Sequence, residues 1–303
     1  LLAKYQEIVE VIKVNFELSQ NNKNLDVLSI RNSANTLLTL VQKNARSVFK
    51  LILSPHIEGL DFLFYNAVNT AILATLTAAN LKYSRLHILN LIIGAFLHDI
   101  GMMKVPPEIL LKKEKLSDLE MQILKKHPAY GHKTVEGTNS FSSDVTTMVL
   151  QHQERLDGSG YPLGLKGAQI SEFARIIAIC DAYQAMCQNR EYREAKSPPV
   201  IIRTLLKEGI GKLDANILKI FIYTVGIYPA GIAVKLTNGS IGEVMMQNIK
   251  SLAKPVVRVF IDENNAVLET PKATSLETIE NLDIEKVLSN EERKEILGRL
   301  GRK

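Results

Sequence analysis

Five residues spread over the middle of the chain could carry chemistry. His98 and Asp99 stand together in HDIGMMKVP, directly after LHILNLIIGAFL, a run without Asp, Glu, Lys or Arg. A helix of that composition is buried on most faces, and an ionised carboxylate at its end costs on the order of several kcal/mol unless a cation compensates it. An isolated His-Asp pair is more often a structural hydrogen bond, but the same puzzle recurs at Asp181. In FARIIAICDAYQAMCQN the only other charged residue is Arg175, six positions earlier and on another part of the helix. Two carboxylates buried without a local counter-ion point to a bound cation. His127 in KKHPAYG and His152 in LQHQERLDGSGYP are each expected at the end of a helix, so four helices can deliver ligands to one point. Imidazole and carboxylate together suit iron, manganese or zinc, and Asp99 could bridge two ions about 3.5–4 Å apart. A hydroxide between two such ions is a nucleophile for phosphodiester cleavage. His56, His87 and His132 have no comparable setting and are expected to be structural or surface histidines.

The elements that must position these residues are helical nearly throughout to about Val225, with apolar residues at three- and four-residue spacing. AKYQEIVEVIKVNFEL predicts a first helix, and LDVLSIRNSANTLLTLVQKNARSVFKLI a second. Further helices are expected over 62–81, 84–100, 143–154, 172–188, 198–208 and 215–225, and Ser117 with Glu120 forms a capping-box pattern before MQILKKH. Alternating apolar runs around Asn238-Gly239 and in PVVRVFIDENNAVLET predict hairpins. The closing SNEERKEILGRLGRK predicts a charged, solvated helix. The expected fold is thus mainly α, divided into an N-terminal helical region (1–54), a metal-binding domain (55–225), a small β extension (226–272) and a helical tail (273–303). The N-terminal helices are expected to pair two copies of the chain.

Of the 303 residues 46% are hydrophobic, enough for a substantial core, and the net charge of +5 is spread without a dense basic block. With no Trp and no aromatics interleaved among basic residues, nucleic acid is not an expected partner. Cys180 and Cys187 lie seven apart on one expected helix, about 10 Å along its axis and too far for a bridge, so both are expected as thiols in a reducing compartment. No uninterrupted apolar run approaches the ~20 residues of a membrane span, and the opening LLAKYQEIVE lacks the order of a signal peptide. A cytoplasmic location is expected.

HDIGMMKVP, KKHPAYG, QHQERLDGSGYPLGLKG and ARIIAICDAYQAMCQNREYREAKSP follow one another in the order and approximate spacing of the HD-GYP family, a branch of the HD phosphohydrolases. The resemblance covers about residues 55–225, and VGIYPAGIAVKLTNG resembles an extension carried by many members. It implies an HD-type helical bundle, a centre of two or sometimes three metal ions, and hydrolysis of cyclic di-GMP to pGpG or GMP. By that resemblance His98, Asp99, His127, His152 and Asp181 are metal ligands, with Asp99 at the catalytic centre. Tyr161 belongs to the loop beside the substrate, shaped by Gly158, Gly160 and Pro162, and Arg190 and Arg193 face the dinucleotide's phosphates.

Four positions depart from the family pattern. Asn66 stands where an upstream histidine ligand is usual, Gln153 replaces the second histidine of the family's HHE, Gln184 replaces the second aspartate of DxxDA, and Met102 replaces the lysine of HDIGK. Two missing imidazoles weaken metal affinity, but the remaining set can still hold two ions. The missing ammonium would have stabilised developing charge or protonated the leaving oxygen, and losing one such donor commonly costs ~10²–10³ in turnover. Lys104 could replace it only if the chain leaves helical geometry after Gly101, since two residues rotate a helical side chain by ~200°. The sequence therefore predicts a slow cyclic di-GMP phosphodiesterase, with two alternatives open: a catalytically impaired receptor or signalling module that retains the metal, and an HD phosphohydrolase acting on another nucleotide.

Overall fold

A computed structural model describes residues 1–52, 61–187 and 196–299. The helices are α1 (Leu2–Gln20), α2 (Val27–Ile52), α3 (Asp61–Asn80), α4 (Arg85–Leu97), α5 (Pro107–Leu110), α6 (Asp118–Leu124), α7 (His127–Glu136), α8 (Ser143–Gln151), α9 (Glu172–Cys187), α10 (Pro198–Glu208), α11 (Ala215–Val225) and α12 (Asn290–Arg299). Strands β1 (Ala233–Leu236), β2 (Ile241–Met246), β3 (Val256–Ile261), β4 (Val267–Ser275) and β5 (Ile284–Val287) lie between α11 and α12. The chain divides into two compact units, Leu1–Lys196 with Ile201–Thr224, and Ser197–Val200 with Val225–Lys303.

In the first unit, α3 and α4 form the centre. Both are apolar on nearly every face, as a helix must be when neighbours surround it. Ala67, Ala71, Ile72 and Leu73 of α3 and Leu91, Ile92, Phe96 and Leu97 of α4 are fully buried. By length and composition Asp61–Asn80 and Arg85–Lys104 could cross a membrane, but 78% and 72% of their apolar windows are buried inside the protein. They serve here as its core. Helices α1 and α2 pack on α3, α2 also on α4, and α8 and α9 close the other sides.

Helix ends are set by local chemistry. Ser84 caps α4 by accepting the His87 N–H, and Ser117 with Glu120 makes the expected capping box on α6. His127 departs from expectation: α6 stops at Leu124, and His127 opens α7 instead of closing α6. After Leu97 the α-helix gives way to a 3-10 turn over Ile100–Lys104. That turn packs on α7 so closely that a Cβ on Gly101 would lie 2.0 Å from the His127 carbonyl oxygen and 2.4 Å from the Gly131 nitrogen. Only glycine permits this approach, which brings His127 up to the His98-Asp99 pair.

The second unit holds an antiparallel sheet in the order β4-β3-β2-β1-β5. The Asn238-Gly239 hairpin joins β1 and β2 as its sequence predicts. The strands run past residue 272, however: β4 ends at Ser275 and β5 lies within the segment expected to be a helical tail. Nor is α12 wholly solvated, because Ile296 packs against Phe260 and Ile261.

Gly101→Ala should force the 3-10 turn and α7 apart. The expected loss is about 1–3 kcal/mol, as for overpacking elsewhere, together with bound metal. Thermal unfolding and elemental analysis would check both, and unchanged metal content would remove the tight approach as the reason for a glycine there.

Candidate metal centre

The three histidines share one local geometry. Each stands at a helix terminus, and each turns Nδ1 back onto the carbonyl three residues earlier: His98 to Ala95 at 2.8 Å, His127 to Leu124 at 2.9 Å and His152 to Val149 at 2.9 Å. A carbonyl oxygen only accepts, so each Nδ1 carries the proton. Every Nε2 lone pair is thereby directed inward, the arrangement that metal-ligating histidines need.

The inward atoms converge on Asp99. Its Oδ1 lies 3.3 Å from His127 Nε2 and 3.5 Å from His152 Nε2, while Oδ2 lies 3.2 Å from His98 Nε2. Asp181 completes the group, with Oδ1 at 3.5 Å from His98 Nε2. The His127 and His152 Nε2 atoms face each other at 3.1 Å. Two neutral imidazoles with Nδ1 protonated would there set one lone pair against another, which a cation relieves. Buried Asp99 Oδ1 and His98 Nε2 have no hydrogen-bond partner. One ligand atom each from His98, Asp99 and His152 lie within 4.8 Å of one another. These donors fit a divalent cation of the kind bound by nitrogen and oxygen ligands.

Protonation follows the same crowding. In the metal-free protein, burial opposes charge on His98, but Asp99 and Asp181 outweigh it and raise its pKa well above the usual value. Burial likewise opposes ionisation of Asp99, yet the charge on His98, with the close imidazoles of His127 and His152, holds it well below the carboxylate range. Asp181 is lowered against its own burial, chiefly by His98. Burial, aided by the charges of His98 and His127, pushes His152 down to about 4.

The substituted positions have other occupations. Asn66 and Gln153 both donate to Asp181, Asn66 Nδ2 to Oδ1 at 3.0 Å and Gln153 Nε2 to Oδ2 at 3.4 Å. They act as hydrogen-bond donors to the Asp181 carboxylate. Gln184 lies one turn after Asp181 on α9, fully buried, and both its amide atoms lack a partner. Met102 is half-buried in the 3-10 turn, its N–H bonded to the Asp99 carbonyl. Lys104 does not reach inward: its Nζ donates to the carbonyls of Ser19 and Gln20 and to Asn22 Oδ1, closing the C-terminus of α1. Arg175, as expected, leaves Asp181 alone and pairs with Asp214.

The loop after His152 forms one wall. Tyr161 packs edge-on against His127 at 6.0 Å between ring centroids. Burial raises its pKa, with Asp99 and Asp181 adding to the effect. Gly158 closes the preceding turn through its N–H to the Arg155 carbonyl. A Cβ on Gly160 would meet Glu154 Cα and Arg155 N at 2.4 Å, so the loop lies flat on the end of α8. Pro162 follows Tyr161 through a cis peptide. Sequence reasoning missed Glu154: its buried carboxylate accepts the N–H groups of Leu163, Gly164 and Leu165 and anchors the loop. A carboxylate directly before a glycine-rich turn was the available signal. Arg190, Arg193 and His56 lie outside the described residues. His87 packs with Tyr83 and Phe173, and His132 bonds the Thr146 carbonyl, both away from the cluster.

The family model described as HD domain matches residues 36–217, and the chain belongs to that family, in its HD-GYP branch. The cyclic di-GMP phosphodiesterase PA4108 of Pseudomonas aeruginosa is 39% identical over 58% of this chain and 42% of its own length. The cyclic di-GMP phosphodiesterase PdeB of Borreliella burgdorferi is 30% identical over 77% of this chain and 61% of its own. The chain thus spans about half the length of these curated relatives. Among solved structures, Bd1817, an HDG"Y"P protein from Bdellovibrio bacteriovorus, superposes with a TM-score of 0.60 at 20% identity. It covers 72% of this chain and 69% of its own, and shares the fold.

Two outcomes follow from this geometry. With a folded pKa of about 4 against 6.5, His152 takes up its proton in the unfolded chain first, so acidification between those values destabilises the metal-free protein. The effect is about 3 kcal/mol; unfolding curves from pH 7 to 4 should show it, and His152→Asn should flatten them. Glu154→Gln should speed amide exchange at residues 163–165 while metal content holds.

Proposed function

We propose that the chain is a metal-dependent phosphodiesterase that hydrolyses cyclic di-GMP slowly, using two divalent ions. The observation that carries this reading is the division of Asp99 between two half-sites. Its Oδ2 faces His98, which also neighbours Asp181, and its Oδ1 faces His127 and His152. A carboxylate so placed can bridge two ions, and imidazole-carboxylate sets favour iron, with manganese and zinc as alternatives. When bound, the ions supply charge compensation at phosphoryl oxygens and a nucleophile at neutral pH.

The protein's own groups do the rest. Nδ1 hydrogen bonds to backbone carbonyls fix the tautomer of the imidazoles and aim Nε2 inward. Asn66 and Gln153 orient Asp181 through their amide N–H groups. Glu154 fixes the loop that sets Tyr161 beside His127, where a bound base or sugar can lean on the ring. Position 102 offers a thioether in place of an ammonium, so this residue has no proton to give a leaving oxygen. That deficit motivates the second reading, a metal-containing receptor that binds cyclic di-GMP and passes the signal to a protein partner. Lys104 strengthens it, being committed to the end of α1.

Protein loaded with Fe²⁺ or Mn²⁺ should release pGpG or GMP from cyclic di-GMP slowly, and Asp99→Ala should release none. Met102→Lys should raise turnover by up to about 10²–10³. Tight binding without product over long incubation would select the receptor, and no gain from Met102→Lys would trace the deficit to the missing imidazoles.

A further inference from the structure

We propose that Lys125 is the phosphate-binding ammonium of this site, supplying from the rim the charge that Met102 does not. The inference rests on the reading of the centre as a cyclic dinucleotide site. Lys125 caps the C-terminus of α6, two residues before His127, and is exposed. Its Nζ stands 5.5 Å from the centroid of the Tyr161 ring, and that ring packs against His127. Among the described residues the ring is its partner, and no carboxylate pairs with it.

A cation resting on an aromatic face is held less firmly than one donating to a phosphate oxygen. Lys125 is therefore stored over Tyr161 and free to swing on its four-carbon stem when a phosphodiester reaches the metal ligands. Arg155 adds to the positive field, since its charge is felt at Tyr161. Its guanidinium, however, is tied to the carbonyl oxygens of His152 and Glu154. It sets the potential, and Lys125 is the mobile donor.

The test measures cyclic di-GMP binding and turnover by the full chain loaded with Mn²⁺. Lys125→Met should raise Kd and KM about tenfold or more, the scale of one charge-assisted hydrogen bond, and should weaken the salt dependence of binding. kcat should change less, and metal content and melting temperature should hold. Lys125→Arg should bind within a few-fold of the parent protein. Adding Met102→Lys to Lys125→Met should recover much of the lost affinity, a coupling that a structural role would not produce. Unchanged Kd in Lys125→Met overturns the assignment while leaving the proposed activity in place. So does a loss that tracks with metal content or melting temperature. A parent protein that neither binds nor cleaves cyclic di-GMP overturns both.

Discussion

The first unit is organised around a negative charge that has no business in its surroundings. Asp99 follows a helix whose last twelve residues carry no charge, is almost fully buried, and its Oδ1 has no hydrogen-bond partner. A carboxylate in that position either attracts positive charge or gives up its own. Beside His98 it does the former: burial opposes charge there, but Asp99 and Asp181 raise the pKa of His98 well above its usual value. A divalent ion can take the same place, and the Nε2 atoms of three histidines already point towards it. Metal affinity and the shifted protonation of these side chains are thus two outcomes of one constraint.

Helix termini meet that constraint economically. A histidine at the end of a helix can bond its Nδ1 to a carbonyl one turn back, which fixes both tautomer and ring orientation. His98 and His152 use the device at the ends of α4 and α8, and His127 uses it from the start of α7 onto Leu124, the last residue of α6. What brings the ends together is backbone packed against backbone. Gly101 lets the 3-10 turn meet α7, and Gly160 lets the Tyr161 loop lie on the end of α8. The centre depends on these contacts as much as on its ligands.

The substitutions divide accordingly. Asn66 and Gln153 have lost ligand character but gained hydrogen bonds to Asp181, so the carboxylate remains oriented. Gln184 buries an amide without a partner, an arrangement that costs stability. Met102 removes a charge that no other residue of the 3-10 turn restores, because Lys104 is spent on three acceptors at the end of α1. Among the described residues the His-Asp cluster keeps donors that suit a cation, and the 3-10 turn keeps no free ammonium beside it.

Much of this was legible in the sequence. The helical periodicity, the capping box on α6, the hairpin at Asn238-Gly239 and the residues that gather around Asp99 all follow from local patterns: spacing, caps, and charges with no neighbour to balance them. β5 was not legible, because a four-residue strand takes its identity from pairing with β1, distant in sequence. Nor was the anchoring of α12 through Ile296, or the opening of α7 at His127. Glu154 reads as an ordinary acid until three backbone N–H groups are folded onto it, and Lys104 and Lys125 are interchangeable as letters. Sequence determines which groups must find a cation or a buried face. Tertiary structure alone decides which lysine donates to the end of α1 and which stands over Tyr161, since direction is set by the packing of segments far apart in the chain.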